Sequence, residues 1–299
     1  MPMGALDRIE RLRGRHALVD GIPFELPVDS SETPALMAAF PVSARRAARI
    51  LPGEELHPFR LFGDVGLLLV TVVDYRTTDI GSYIEFSIAI ACTHGPQAPP
   101  AVVPALLRGR YGTGQFVVDL PVSTEISVKG GKGIWGMPKH QANLDYGIGD
   151  DKVWSQYDLD GRLCCRIEVD RPRWSGLPVR MAAVNYCAFR GMLNKSYIHF
   201  RGRAGLNPPL TRSARLIFGD HPRMAPLREL QVGARPVFSG VFPKTRGILD
   251  DHMESWFLTF RTPPTTVPEG LESVVDLGLG REWLAPPNDS DARERTGAA

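Results

Sequence analysis

The sequence predicts an α+β fold class, rich in antiparallel β-strands, with a few short helices and a closed or partly closed barrel. Three observations support this prediction. Short runs of alternating or continuous apolar residues recur along most of the chain. Asp160-Gly161 separates two such runs and is a strong signal for a β-hairpin. Helical patterns are few and short. Most of the chain is therefore expected to be one antiparallel β-structure.

The chain is expected to comprise a helical arm at residues 1–20, one large domain at residues 21–285 and a disordered tail at residues 286–299. The arm should contain an amphipathic helix from Leu6 to Leu12. The tail is predicted to be disordered because its residues are small, polar and charged.

Within the large domain, Ser43 is expected to cap a helix over residues 44–51, which Pro52 and Gly53 end. A second helix is predicted to begin near Ser123, before a group of glycines. The remaining segments favour extended structure. These are 22–28, 66–73, 82–90, 114–122, 153–159, 162–169, 214–218, 237–242 and 256–259.

The segment 82–90 has two different faces if it forms a strand. Its even positions, from Ile84 to Ile90, are apolar and should pack in a core. The other face carries Tyr83, Glu85 and Ser87 and is small and polar. This second face could line a cavity or meet water, and the sequence does not choose between the two.

Composition excludes several functional classes. With 35 basic and 33 acidic residues the formal net charge is only +2, so no nucleic-acid partner is implied. No run approaches the roughly 18 apolar residues of a membrane helix, and the N-terminus lacks a signal-peptide core, so a cytoplasmic protein without a membrane partner is expected. The spacing of the four cysteines and seven histidines favours reduced thiols and no metal site.

The segment from Gly131 to His140 holds the strongest candidate for chemistry. Lys139 follows a run of glycine and apolar residues that ends in Pro138. Only a neutral amine attacks a carbonyl, and an ordinary lysine with a pKa of about 10.4 is less than ~0.1% neutral at pH 7. Apolar surroundings could lower the pKa of Lys139, and the resulting imine would stabilise a carbanion on the adjacent carbon.

This segment resembles the imine-forming lysine motif of the acetoacetate decarboxylase family, through Gly131, Lys132, Pro138 and Lys139. Residues 81–85 resemble the family segment that carries an acid/base glutamate, and residues 214–232 resemble its late strand and loop.

The resemblance implies a cone- or barrel-shaped domain, a homo-oligomer and a lyase that acts on a keto compound without a cofactor. Lys139 would form the imine and Glu85 would transfer protons. Decarboxylation of a β-keto acid and aldol or dehydration chemistry on an oxo acid both remain open. The candidate substrate-binding residues are Tyr83, Trp135, Met137, His140, Lys132 and Arg76.

The sequence departs from the decarboxylase pattern at three positions. His140 stands in place of a second lysine, Pro41 in place of the arginine that engages the substrate carboxylate, and Val70 in place of a second glutamate. Arg76, Lys132, Arg110 or an arginine from elsewhere in the chain could substitute for the missing arginine. The departures also allow an alternative function, in which the protein binds a keto compound or another small ligand in the same pocket without turnover.

Overall fold

A computed structural model describes residues 14–262 and 265–266 of the 299-residue chain. The predicted helix at Leu6–Leu12 and the predicted tail at 286–299 lie outside these residues. The end of the predicted helical arm is a strand, since Arg15–Val19 pairs with the next strand in a hairpin. Among the helices that the structure describes, none combines the length and apolar character required to cross a membrane.

The described residues form sixteen strands and four short α-helices. The strands are β1 (Arg15–Val19), β2 (Ile22–Leu26), β3 (Val28–Ser43), β4 (Leu56–Pro58), β5 (Val65–Tyr75), β6 (Thr77–Thr78), β7 (Tyr83–His94), β8 (Gly114–Val122), β9 (Lys139–Gln141), β10 (Asn143–Ile148), β11 (Lys152–Leu159), β12 (Arg162–Asp170), β13 (Leu177–Phe189), β14 (Met192–Leu206), β15 (Ala214–Phe218) and β16 (Phe238–Phe257). The helices are α1 (Ala44–Ala47), α2 (Val103–Leu106), α3 (Glu125–Trp135) and α4 (Ala225–Arg228), with a 3₁₀ turn at Pro222–Met224.

Seven strands close into a barrel, which confirms the predicted β-rich fold class. The strands are hydrogen-bonded in the order β7-β5-β3-β16-β14-β13-β8, and pairing between β7 and β8 closes the ring. All neighbours in this ring are antiparallel except β8 and β13, which are parallel over the pairs Gln115–Asn185 and Phe116–Tyr186.

The short strand β9 lies beside β8 at one end of the barrel. Since β7 occupies one edge of β8, strands β13 and β9 share its other edge, and β9 pairs in parallel along Leu120–Val122. Strand β9 therefore extends the barrel wall beyond the point where β13 leaves β8.

The largest hydrophobic core lies outside the barrel. A second sheet, in the order β10-β11-β12-β15, supplies Tyr157 and Ile167 to a cluster that also contains the fully buried Phe86 and Ile88 of β7. The apolar face predicted for residues 84–90 therefore packs between barrel and sheet. Strand β5 buries Leu68, Val70 and Val72 in the same core, whereas its other face is mostly half-buried and lines the barrel interior, so the burial on both faces predicted from its apolar run is found only in part.

Several predicted elements are confirmed with different lengths. Ser43 caps α1 as expected, accepting a hydrogen bond from the Arg46 amide, but the helix ends at Ala47. The hairpin at Asp160-Gly161 and strand β15 are found where predicted. The strand predicted at 237–242 is the first part of one twenty-residue strand, β16. The strand predicted at 256–259 begins at the end of β16 and continues beyond it. Helix α3 begins at Glu125, close to the predicted start, and includes the three glycines before which it was expected to begin.

Candidate active site

Lys139 is buried inside the barrel, with 5% of its surface exposed. Its Nζ lies 2.7 Å from Glu85 Oε2 and donates to Ser127 Oγ at 3.0 Å. The Tyr83 ring provides a third contact, with its centroid 5.3 Å from Nζ. The amine is therefore held by a carboxylate, a hydroxyl and an aromatic face, which together stabilise its charged form.

The direction of the Lys139 side chain follows from the register of β9. Lys139 pairs with Leu120 of β8, and Leu120 lines a barrel cavity. Paired residues of neighbouring strands point to the same face of a sheet, so Lys139 points into the barrel and His140 points out. Glu85 and Tyr83 reach the same region because both lie on the inner face of β7.

Helix α3 lies against the lysine through Ser127 and Gly131, which are four residues apart and so share one helix face. A methyl group on Gly131 would be 2.6 Å from Cε and 3.1 Å from Nζ of Lys139. The absence of a side chain at Gly131 therefore leaves the space that the lysine occupies.

The same helix ends in a turn that directs the chain into β9. Gly136 has the left-handed conformation (φ 65°), and its amide bonds to the Lys132 carbonyl while that of Met137 bonds to the Gly131 carbonyl. The bond from the Gly136 amide to the Lys132 carbonyl is that of an αL helix cap, and Pro138 follows it. The glycine and proline of the sequence motif thus end the helix immediately before the lysine.

Three cavities follow one another inside the barrel. The first is lined by Lys139, Glu85, Tyr83 and Met137. The second shares Tyr75, Glu85, Met137 and Ile198 with the first. The third shares Met37, Thr71, Val73 and Phe200 with the second. The polar face predicted for β7 lines this space, since Tyr83, Glu85 and Ser87 all contribute to it.

The charge state of Lys139 differs from the one expected from its apolar sequence context. Burial alone would lower the pKa of Lys139, but the adjacent Glu85 carboxylate outweighs that effect and the pKa lies above its ordinary value. The resting amine is therefore protonated. Burial also raises the pKa of Tyr83 to about 12, so its hydroxyl stays neutral beside the ion pair.

Of the six predicted substrate-binding residues, two line the first cavity. These are Tyr83 and Met137. Trp135 is buried beside Met137 and does not line any of the three cavities described. Lys132 is half-buried on α3 and likewise is not part of their lining. Arg76 is 55% exposed and pairs with Asp74 at 3.0 Å, so it does not replace the missing arginine inside the barrel.

His140 lies outside the barrel in a separate polar cluster. Its Nδ1 accepts a hydrogen bond from Arg223 Nη2 at 3.2 Å, and its Nε2 lies 3.1 Å from the Tyr157 hydroxyl. Arg223 also donates to Asp119 at 2.8 Å, and Asp119 is 2% exposed. Burial lowers the pKa of His140, with Asp119 opposing and Arg223 adding to this effect, so the imidazole is neutral near pH 7. Because His140 points away from the barrel interior, it does not face a ligand at Lys139.

The sequence did not identify Ser127 as a site residue, because Ser127 belongs to no recognisable motif. In the structure its hydroxyl contacts the reactive amine. One signal was available, because a helix starting near Ser123 places positions 127 and 131 on the same face. The sequence did not show that this face meets Lys139.

Two of the residues that depart from the decarboxylase pattern, Val70 and Pro41, lie outside the lining of the three cavities. Val70 is fully buried in the outer core, while the inner face of β5 carries Thr71, Val73 and Tyr75. Pro41 is half-buried and bonded to the Gly233 amide. Among the described residues that line the three cavities, Lys139 and Glu85 alone carry charge.

All four cysteines are buried and unpaired, as the sequence predicts. Within the described ranges no group of three or more histidine, cysteine, aspartate or glutamate side chains is arranged to hold a metal ion. Lys139 and Glu85 bring an amine and a carboxylate into direct contact at this site.

Comparison with solved structures shows the same fold in several proteins. An acetoacetate decarboxylase from Legionella pneumophila has a TM-score of 0.56 at 13% identity, covering 83% of this chain and 94% of that one. The enduracididine biosynthesis enzyme MppR, complexed with pyruvate, has a TM-score of 0.56 at 15% identity, covering 77% and 90%. An acetoacetate decarboxylase-like enzyme from Sphingomonas wittichii has a TM-score of 0.53 at 14% identity, covering 78% and 94%.

A comparison with curated proteins gives no significant match. The family model for acetoacetate decarboxylase matches residues 14–183, which include Glu85, Lys139 and all of the segments that hold them. The chain therefore belongs to the acetoacetate decarboxylase family.

Proposed function

We propose that the protein is a lyase that forms an imine between Lys139 and the carbonyl carbon of a keto substrate, without a cofactor. The observation that carries this proposal is the buried Lys139 amine, 2.7 Å from Glu85 at the wall of a barrel cavity. An amine and a proton acceptor within hydrogen-bonding reach are the two groups that imine formation requires.

Because the Lys139 amine is protonated at rest, the first step is the transfer of its proton to Glu85. The Lys139 ammonium passes a proton to the Glu85 carboxylate, and the neutral amine attacks the substrate carbonyl carbon. Glu85 returns the proton to the carbinolamine hydroxyl, which leaves as water and forms the iminium ion. Because both groups are buried, this transfer occurs in a low-dielectric site where the proton has few other acceptors.

The iminium ion then acts as an electron sink for the cleavage of a bond to the adjacent carbon. Loss of carbon dioxide from a β-keto acid gives an enamine, which Glu85 reprotonates on carbon after it has regained a proton. Aldol or dehydration chemistry on an oxo acid proceeds through the same iminium and enamine. Among the described lining residues there is no second cation to pair with a carboxylate, so the lining does not favour either reaction over the other.

A second candidate function is a binding protein that holds a keto compound or another small ligand without turnover. The raised pKa of Lys139 favours this candidate, since it disfavours the nucleophilic form of the amine. The homo-oligomer implied by the family resemblance is a further proposal, which sedimentation of the full chain tests.

Borohydride trapping distinguishes the two candidate functions. The protein is incubated with acetoacetate or pyruvate, reduced, and analysed by intact mass and peptide mapping. The lyase predicts one adduct on Lys139, lost in Lys139→Met. Lys195→Met is a matched control, because Lys195 also pairs with a glutamate, Glu254, at 2.8 Å but outside the site. Adduct formation without release of carbon dioxide or condensation product supports the binding protein, and no adduct on Lys139 with either probe overturns the imine.

A further inference from the structure

The interior of the barrel extends well beyond the space around Lys139. Glu85 and Met137 line both the first and the second cavity, so these two cavities meet beside the reactive amine. The second and third share Met37 and Phe200 further along the barrel. A ligand joined to Lys139 thus has space in one direction along the barrel interior.

The chemical character of the lining changes with distance from Lys139. The first cavity contains the ion pair and several hydroxyl groups. The second is mainly apolar, and its two amides, Gln115 and Asn185, are hydrogen-bonded to each other at 2.7 Å. The described residues that line the third are methionine, phenylalanine, valine and alanine with two threonines, and none of them is charged. Water bound in such a space gains few hydrogen bonds, whereas an alkyl chain gains contacts throughout.

We propose that the keto substrate carries an unbranched apolar tail of several carbons, which lies in the second and third cavities while its carbonyl reacts with Lys139. This inference rests on the proposed imine function and names its substrate class. Cavities that follow one another along the barrel suit a linear chain better than a ring.

Trapping with neutral methyl ketones tests the tail without involving a carboxylate. Acetone, 2-butanone, 2-hexanone and 2-octanone are each titrated against the protein, reduced, and scored by mass on Lys139. Each buried methylene is worth about fourfold in affinity, so the half-saturating concentration should fall at least tenfold between acetone and 2-octanone. Cyclohexyl methyl ketone has eight carbons as well and should bind more weakly than 2-octanone.

Two neighbouring alanines of β13 provide a matched pair of variants. Ala183 lines the second cavity, whereas Ala182 points to the other face of the strand and lines none of the three cavities described. Ala183→Leu should reduce the preference for 2-octanone over acetone at least tenfold. Ala182→Leu should keep the preference of the unmodified protein.

The outcomes separate this inference from the function on which it rests. Adducts with acetone but equal half-saturation across the series would overturn the tail and leave the imine intact. An equal loss of preference in both alanine variants would also overturn the tail. No adduct with any probe would overturn the imine itself. If Ala183→Leu does not fold, the chain-length series in the unmodified protein decides.

Discussion

The α-carbon of Gly131 faces the side chain of Lys139 so closely that a methyl group there would be 2.6 Å from Cε. A glycine inside a helix normally lowers the stability of that helix by about 1 kcal/mol relative to alanine. In this helix it is a requirement of the site, because the lysine occupies the volume that a side chain would fill.

Gly131→Ala should therefore lower the trapping of a keto probe on Lys139 at least tenfold, since the new methyl displaces the amine from Glu85. The half-saturating concentration in borohydride trapping measures this effect. Gly133→Ala is the control, because a methyl group at position 133 meets Val19 of the N-terminal hairpin and not the lysine. Equal trapping by the two variants would contradict the proposed role of Gly131.

Glu85→Gln should lower the pKa of Lys139. Burial lowers this pKa and the Glu85 charge raises it, so without the charge the effect of burial remains. The pH midpoint for reaction of Lys139 with an amine-directed acylating reagent, followed by peptide mapping, reports the change. The unmodified protein should react with a midpoint above about 10.4, the ordinary value, and the variant with a lower midpoint. A midpoint that stays constant or rises would show that Glu85 does not control the amine.

Lys139→Met should destabilise the protein by about 3–5 kcal/mol, because it leaves the buried Glu85 carboxylate without a partner. The double variant with Glu85→Leu should regain most of this loss, since apolar pairs replace buried ion pairs at little cost. Urea unfolding at pH 7 measures both free energies. Additive losses in the double variant would rule out a coupled pair.

The ion pair between Lys139 and Glu85 should also make the free energy of unfolding depend on pH in the alkaline range. The pKa of Lys139 is higher in the folded than in the unfolded chain, so its contribution to stability is fully present below about pH 10.4 and is lost as the pH rises through the folded-state value. The difference in unfolding free energy between the unmodified protein and Lys139→Met should therefore shrink at high pH.

Arg223→Gln should raise the pKa of His140, because the guanidinium that bonds to Nδ1 opposes a second positive charge. Titration of the histidine ring signals by NMR measures the shift. Since the pKa of His140 is lowered on folding, the intact protein should lose stability as the pH falls below about 6.5, and this loss should be smaller in the variant. Arg228→Gln removes an arginine that bonds to the Gly219 carbonyl instead and should leave the His140 titration unchanged.

The sequence predicted the reactive pair because each residue has a local signal. Lys139 follows glycine, apolar residues and proline, and Glu85 alternates with apolar residues in a clear strand. That both meet inside a barrel depends on pairing between β7 and β8 and between β8 and β9, which local patterns do not encode. The contact between Ser127 and Lys139 is equally invisible before the packing of α3 is known.

Three barrel strands were not predicted, for related reasons. Strands β3, β13 and β14 include prolines, alanines and charged residues that weaken an alternating pattern. Their inner faces line cavities rather than a packed core, so small and polar side chains are tolerated there. The sequence indicates that apolar neighbours could lower the pKa of Lys139, but it does not show the Glu85 carboxylate at 2.7 Å, which raises that pKa.

The number of strands in the barrel has a consequence for how a ligand reaches its interior. A closed ring of alternating directions needs an even number of strands, so a ring of seven must contain one parallel pair. Here that pair is β8 and β13, with only two residue pairs in register and one added bond between the amides of Gln115 and Asn185. Because these amides also line the middle cavity, the shortest pairing in the ring lies directly over the proposed tail site. Local separation of these two strands would open the interior while the other six pairings remain intact.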